Sequence, residues 1–329
     1  MAYGWGNDDV NNWNNPGQYD YGEAKKPYLD EVKKKAKAEG LDSRVYTTSK
    51  KGPDTALVDP CGKTYVTTSK NPAIVLVDGT ASMADWPGEI FDRLPLLYQT
   101  GFKWKDDFEV AFGLIHDTTT GDDHSLQLAP FGRDLTLDKN LKALKPMRGG
   151  GPGFRESYEL AAYLVHERVK APNAESPTLI IMGDESFYPT IKPNLAHKVL
   201  GYSPQTEISS KEIFQELAKT WDIYLIKKSH REDEKIIPEW SNAIGSQKIL
   251  SEVDKTRCVD QALYILATKW GVHDDFIKII QARQDDHSVV EAVLNSLKAP
   301  SAILNNPDLL KSTLEGSNAA SKKSAVFGK

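Results

Sequence analysis

Residues 73–83 read AIVLVDGTASM. Five consecutive apolar residues, three of them β-branched, are too few for a buried helix. They fit a strand covered on both faces, as parallel strands in an open sheet are. The run closes on Asp78 and Gly79, where the strand gives way to a polar turn. Comparable runs follow at 110–115 (VAFGLI), 178–182 (TLIIM), 222–226 (DIYLI) and 248–250 (KIL). Amphipathic stretches at 88–100, 156–170, 209–220 and 258–270 alternate with them. Strand–helix alternation of this kind predicts a Rossmann-like, doubly wound α/β domain: a mostly parallel sheet, helices on both faces, right-handed crossovers. The segment 125–130 (SLQLAP) follows its strand after a short polar loop, so it is expected to be an antiparallel edge strand.

Outward from this core the composition changes. Residues 1–23 are rich in Asn, Gly and aromatics without periodicity and are expected to form a disordered tail. Residues 24–39 read as a helix with Tyr28, Val32 and Ala36 in line and Gly40 closing it. Two similar pieces, RVYTTSKKGP (44–53) and KTYVTTSKNP (63–72), flank the turn signal DPCG at 59–62. Together, 24–71 is expected to be a helix and β-hairpin extension of the 72–270 domain. A helical extension follows over 271–311. Within it, Ser288 and Glu291 form a capping box, and Val290, Val293, Leu294 and Leu297 make an apolar stripe that Pro300 ends. Residues 312–329 are again expected to be disordered.

The 329-residue chain carries 41 Lys plus Arg against 46 Asp plus Glu, a net charge of −5. That balance argues against a nucleic-acid binder, which presents a basic face. No apolar run approaches the roughly 18 residues of a membrane helix, and the N-terminus lacks a signal-peptide core. Two cysteines, Cys61 and Cys258, supply neither a disulfide framework nor an all-Cys metal site, and they suit a reduced cytoplasmic protein.

Chemistry concentrates just past the first strand. Asp78, Thr80 and Ser82 are spaced i, i+2, i+4, which in an extended turn points all three to one side. All are oxygen donors, suited to a hard cation such as Mg²⁺, Mn²⁺ or Ca²⁺. They lie at the carboxyl end of a parallel strand, where open α/β sheets bind ligands. Two later segments should reach the same edge. One is the Gly-rich loop and helix GGGPGFRESYEL (149–160). The other is MGDE (182–185), in which Asp184 occupies the same place relative to its strand as Asp78 does.

AIVLVDGTASM, the GGG…ESYEL loop and helix, and IIMGDE resemble the von Willebrand factor A-like domain over about residues 72–270. The segments Asp85-Trp86-Pro87, Leu126-Gln127…Pro130-Phe131 and Gly183-Asp184-Glu185…Tyr188-Pro189 are similar to those of uncharacterised bacterial and phage members. The resemblance implies a metal-ion-dependent adhesion site, with Thr80 in place of the more usual first Ser. Ser and Thr oxygens would bind the metal (Mg²⁺ foremost) directly, and the aspartates Asp78 and Asp184 would act largely through water. An open position would take an Asp or Glu from a protein partner, with no nucleic acid and no membrane involved. The family's Thr after Gly-Gly is absent here. Glu156 or Ser157 stands in its place, and Glu156 fits better by its position relative to Leu160 and Ala161. A carboxylate there would tighten metal binding and weaken attraction for an acidic ligand. The expected function is a divalent-metal-dependent protein-binding module inside the cell, without catalytic residues. The alternatives are a metal-assisted hydrolase of phosphate or ester, with Glu185 or Asp117 as base, and a structural component of a phage or large assembly.

Rival sites fail on chemistry. A haloacid-dehalogenase-like phosphatase needs a nucleophilic Asp two residues before Asp78, and that residue is Leu76. The GGGPG loop lacks the Lys of a nucleotide-binding P-loop. His116 and His124 flank Asp117, Asp122 and Asp123 without zinc-ligand spacing, and these are expected to be solvated loop residues.

Overall fold

The structure is a computed structural model that describes residues 52–296, apart from 84–85, 121–123, 134, 148–149, 151–152, 254–256 and 284–286. The expected tails, the helix over 24–39, most of the first hairpin piece, and Asp85, Asp122, Asp123, Leu297 and Pro300 lie outside the described residues.

Six strands form the central sheet: β1 (Ala73–Asp78), β2 (Val110–Ile115), β3 (Leu126–Leu128), β4 (Thr178–Gly183), β5 (Asp222–Lys227) and β6 (Ile249–Ser251). Their spatial order is β3-β2-β1-β4-β5-β6. All neighbours are parallel except β3, which pairs antiparallel with β2 at the edge as expected. The order reverses between β1 and β4, the switch point at which loops diverge to opposite faces and leave a crevice. Register aligns the carboxyl ends there. Asp78 lies opposite Ile115, Val77 opposite Met182, and Gly183 opposite Lys227.

Residues of β1 alternate between two apolar layers. Ala73, Val75 and Val77 pack with helices α1 (Trp86–Trp104), α2 (Leu135–Ala143) and α7 (Cys258–Lys269). Ile74 and Leu76 pack with α3 (Tyr158–Arg168), α4 (Pro193–Leu200), α5 (Ser210–Leu217) and α6 (Asp233–Ile244). Leu76 therefore belongs to the core. Each Leu, Ile or Phe so buried contributes about 1.5–3 kcal/mol. The helical extension is present as α8 (His273–Arg283) and α9 (His287–Ser296), whose Phe276, Ile280, Val290 and Val293 join the first layer. Among the described residues no helix is long and apolar enough to cross a membrane.

Most of the first piece of the expected hairpin lies outside the described residues, and the second piece pairs with the main domain. Tyr65–Val66 pairs in parallel with Val169–Lys170, at the end of α3, and a helical turn at Thr55–Val58 precedes the 59–62 turn. Tyr65 decides this pairing. Tyr65 is 2% exposed and its hydroxyl donates to the Leu128 carbonyl, so the strand is drawn to the main domain. Cys61 is exposed and Cys258 buried, and both are free thiols.

Candidate functional site

The turn after β1 is held by its own side chains. Oδ1 of Asp78 accepts from the Thr80 amide at 2.8 Å and from the Thr80 hydroxyl at 2.6 Å. Such a turn, in which an Asp caps the amide two residues on, folds locally. It leaves Thr80 Oγ1 3.0 Å from Ser82 Oγ, and Ser82 donates to Asp184 Oδ1 at 3.1 Å. The four residues expected to converge thus form one hydrogen-bonded chain across the β1–β4 switch point. Asp78, Thr80 and Asp184 are buried, while Ser82 reaches solvent.

Glu156 stands beside them. The two-residue strand Arg155–Glu156 pairs in parallel with Ser186–Phe187, just past Asp184, and this pairing carries the carboxylate to the site. Gly150 lies between: a Cβ at that position would be 3.5 Å from Glu156 Oε1 and 3.7 Å from Thr80 Cβ. Ser157, the other candidate for the missing Thr, is turned away, with its hydroxyl 2.8 Å from Thr118 Oγ1 and accepting from the Thr118 amide at 3.0 Å. Of the two, only Glu156 is adjacent to Thr80.

Three residues that sequence reading did not assign to the site join it. Tyr158 donates to Asp78 Oδ2 at 2.5 Å. Its hydroxyl fits only because residue 183 is glycine, since a Cβ there would fall on it. Lys228 donates to the Ser82 carbonyl at 2.5 Å and lies 3.5 Å from Asp184 Oδ2. Glu159, buried in the first turn of α3, accepts from the Tyr188 amide at 3.0 Å. Tyr158 and Glu159 stand in the quoted ESYEL segment, and position within the segment was the available signal. Nothing in the sequence marks Lys228.

His116 and Asp117 are not solvated, contrary to the expectation: both are fully buried. Gly79 admits the His116 ring, whose Nε2 accepts from the Met147 amide at 3.0 Å, and burial pushes its pKa down to about 4, so it is neutral. Asp117 accepts from the Thr119 amide at 2.8 Å and from the Tyr188 hydroxyl at 3.1 Å.

Charge is the dominant feature of the crevice. Burial, and then the charge of Asp184, push Asp78 up to about 6 against the hydrogen bonds from Thr80 and Tyr158. Burial pushes Glu156 strongly upward, reinforced by Asp78, Glu185, Asp117 and Asp184. Glu185 is pushed up to about 8 by burial and by Asp184. Glu156 Oε2 is buried without a hydrogen-bond partner. A buried carboxylate oxygen with no donor is costly, and a cation is the group that would satisfy it. Among the described residues no three His, Cys, Asp or Glu side chains group as a ready cage. The convergent donors are two carboxylates, two hydroxyls and Glu156 beyond them. Such an all-oxygen set fits a hard cation that keeps part of its water shell, as Mg²⁺ does.

No family model and no curated protein matches the chain. Among solved structures it is similar to proximal thread matrix protein 1 from the mussel byssus in crystal form 2, at 12% identity and a TM-score of 0.41, over 65% of this chain and 49% of that one. It is also similar to the pilus adhesin SpaC from Lactobacillus rhamnosus GG in its open conformation, at 11% identity and a TM-score of 0.45, over 66% of this chain and 31% of that one. The chain therefore spans about half the length of the first and under a third of the second.

Proposed function

We propose that this chain is a divalent-metal-dependent protein-binding module of the von Willebrand factor A-like kind, acting inside the cell. Thr80 and Ser82 offer hydroxyl oxygens to the cation, Asp78 and Asp184 act largely through water, and Glu156 adds a carboxylate in place of the family's Thr. A partner's Asp or Glu completes the shell. The observation that carries this reading is the hydrogen-bonded chain Asp78–Thr80–Ser82–Asp184 at the switch point, with the orphaned oxygen of Glu156 beside it. Mg²⁺ is the favoured ion, with Mn²⁺ and Ca²⁺ as alternatives, because every donor is a hard oxygen. Two free cysteines suit a reducing compartment.

Calorimetric titration of the full chain with Mg²⁺ and Mn²⁺ tests it. Wild type should bind one ion, and Asp78→Ala should bind none while keeping its helical circular dichroism. Equal binding by both proteins would reject the site. A panel of phosphate and ester substrates should give no turnover dependent on Asp78 or Glu156. Steady hydrolysis lost in both Asp78→Ala and Glu156→Ala would replace the binding module with a hydrolase.

A further inference from the structure

The proposed site poses an electrostatic problem for an acidic ligand. Asp78, Asp184, Glu156, Glu185 and Asp117 lie close enough for their charges to act on one another. A divalent cation answers part of this crowding, so a carboxylate arriving at its open position still comes in among other carboxyl groups. Something else must favour its approach.

Two lysines end β5. Lys227 is 4% exposed and committed to Asp233 Oδ1 at 2.5 Å. Lys228 is different. Its side chain is 22% exposed, against 2% for Asp184. Its ammonium sits over the Trp86 ring at 5.8 Å from the centroid, and it touches the carbonyl of Ser82, the solvent-facing member of the hydroxyl pair. An ammonium has three donors on a flexible stem. One goes to the Ser82 carbonyl and a second leans toward Asp184 Oδ2. The third is left for a ligand, on a side chain that is part-exposed beside the exposed Ser82.

We infer that Lys228 is the second anchor for the incoming ligand: a partner's Asp or Glu side chain bridges the cation and the Lys228 ammonium, which sets the site's preference for carboxylates. The inference rests on the metal-dependent binding reading. It adds the specificity determinant that reading lacks, because metal and ammonium together make a two-point receptor for a two-oxygen group. A neutral amide offers one acceptor oxygen and no charge, so it cannot bridge the two points and should be rejected.

The test uses the full chain and two probes. Mn²⁺ alone is titrated by electron paramagnetic resonance. N-acetyl-glutamate α-amide, a capped glutamate, is then added, and broadening of its proton lines by bound Mn²⁺ reports occupancy beside the ion. Lys228→Gln should bind Mn²⁺ at least as tightly as wild type, since a competing cation leaves Asp184. It should bind the capped glutamate about tenfold more weakly, the scale of one charged hydrogen bond. Lys228→Arg should restore most of the loss, and capped glutamine should bind no variant. Equal capped-glutamate binding by wild type and Lys228→Gln would overturn the inference while leaving the metal site standing. Loss of Mn²⁺ binding in Lys228→Gln would also overturn it, by assigning Lys228 to support of the metal site itself. If wild type holds no Mn²⁺, the metal reading fails first and the inference falls with it.

Discussion

The Tyr158 hydroxyl donates to Asp78 Oδ2 at 2.5 Å, so the first residue of α3 fixes a carboxylate 80 positions earlier in the chain. With Thr80 holding Oδ1, neither oxygen of Asp78 can rotate away from the turn. Tyr158→Phe removes only that hydroxyl from a fully buried ring. The fold should persist, and cation affinity should fall about 10–100-fold, the usual cost of losing a group that orients a metal-binding side chain. Calorimetric titration of the variant with Mn²⁺ measures it; an unchanged affinity would make the contact purely architectural.

Gly183→Ala should destabilise by about 1–3 kcal/mol, because the new methyl occupies the place of the Tyr158 hydroxyl. Combined with Tyr158→Phe the loss should be smaller than the sum, since the clash and the hydroxyl are the same contact. Urea unfolding of the two single variants and the double variant closes the cycle. Strict additivity would place the strain elsewhere.

Asp78→Asn should raise the melting temperature of the metal-free protein while abolishing the shift that Mg²⁺ produces. Burial without a paired cation lifts Asp78 from 3.8 to about 6, a charge penalty on the order of 3 kcal/mol at neutral pH. Asn keeps the shape and removes the charge. A metal-free melt of the variant below that of wild type would count against this account of the crevice.

Stabilisation by Mg²⁺ should grow with pH. Asp78, Glu156 and Glu185 all hold their protons more tightly folded than unfolded. Their contribution favours the fold at low pH and is lost as pH rises through the folded values of about 6 and about 8 for Asp78 and Glu185. A cation replaces those protons, so its effect is least at pH 5 and largest near pH 8. Melting curves with and without Mg²⁺ at pH 5, 6.5 and 8 give the comparison. A shift that shrinks as pH rises would contradict it.

The main strands were legible because each is a short apolar run: the expected 110–115 matches β2 to the residue, and 73–77 falls one short of β1. Asp78, Thr80, Ser82 and Asp184 were legible because they sit at the ends of those runs. Helix α6 was not, since Pro238 within it reads as a breaker and the burial of Ile236 and Trp240 outweighs the lost backbone bond. The parallel pairing of Tyr65–Val66 with Val169–Lys170 was not legible either, because nothing local in the sequence marks a partner 104 residues away. Lys228 was invisible, because two adjacent lysines look alike until strand register sends one into the protein and the other over Trp86.

The strand order has a kinetic consequence. β1 comes first among the sheet strands in sequence yet lies at its centre, and β4, its neighbour across the crevice, begins 100 residues beyond the end of β1. Contacts of such long separation form late and slowly. Ser82 and Asp184 cannot meet until β4 has docked, so the crevice comes into being with sheet closure rather than with any local turn. A nascent chain that has emerged only through β3 carries Asp78, Thr80 and Ser82 without Asp184.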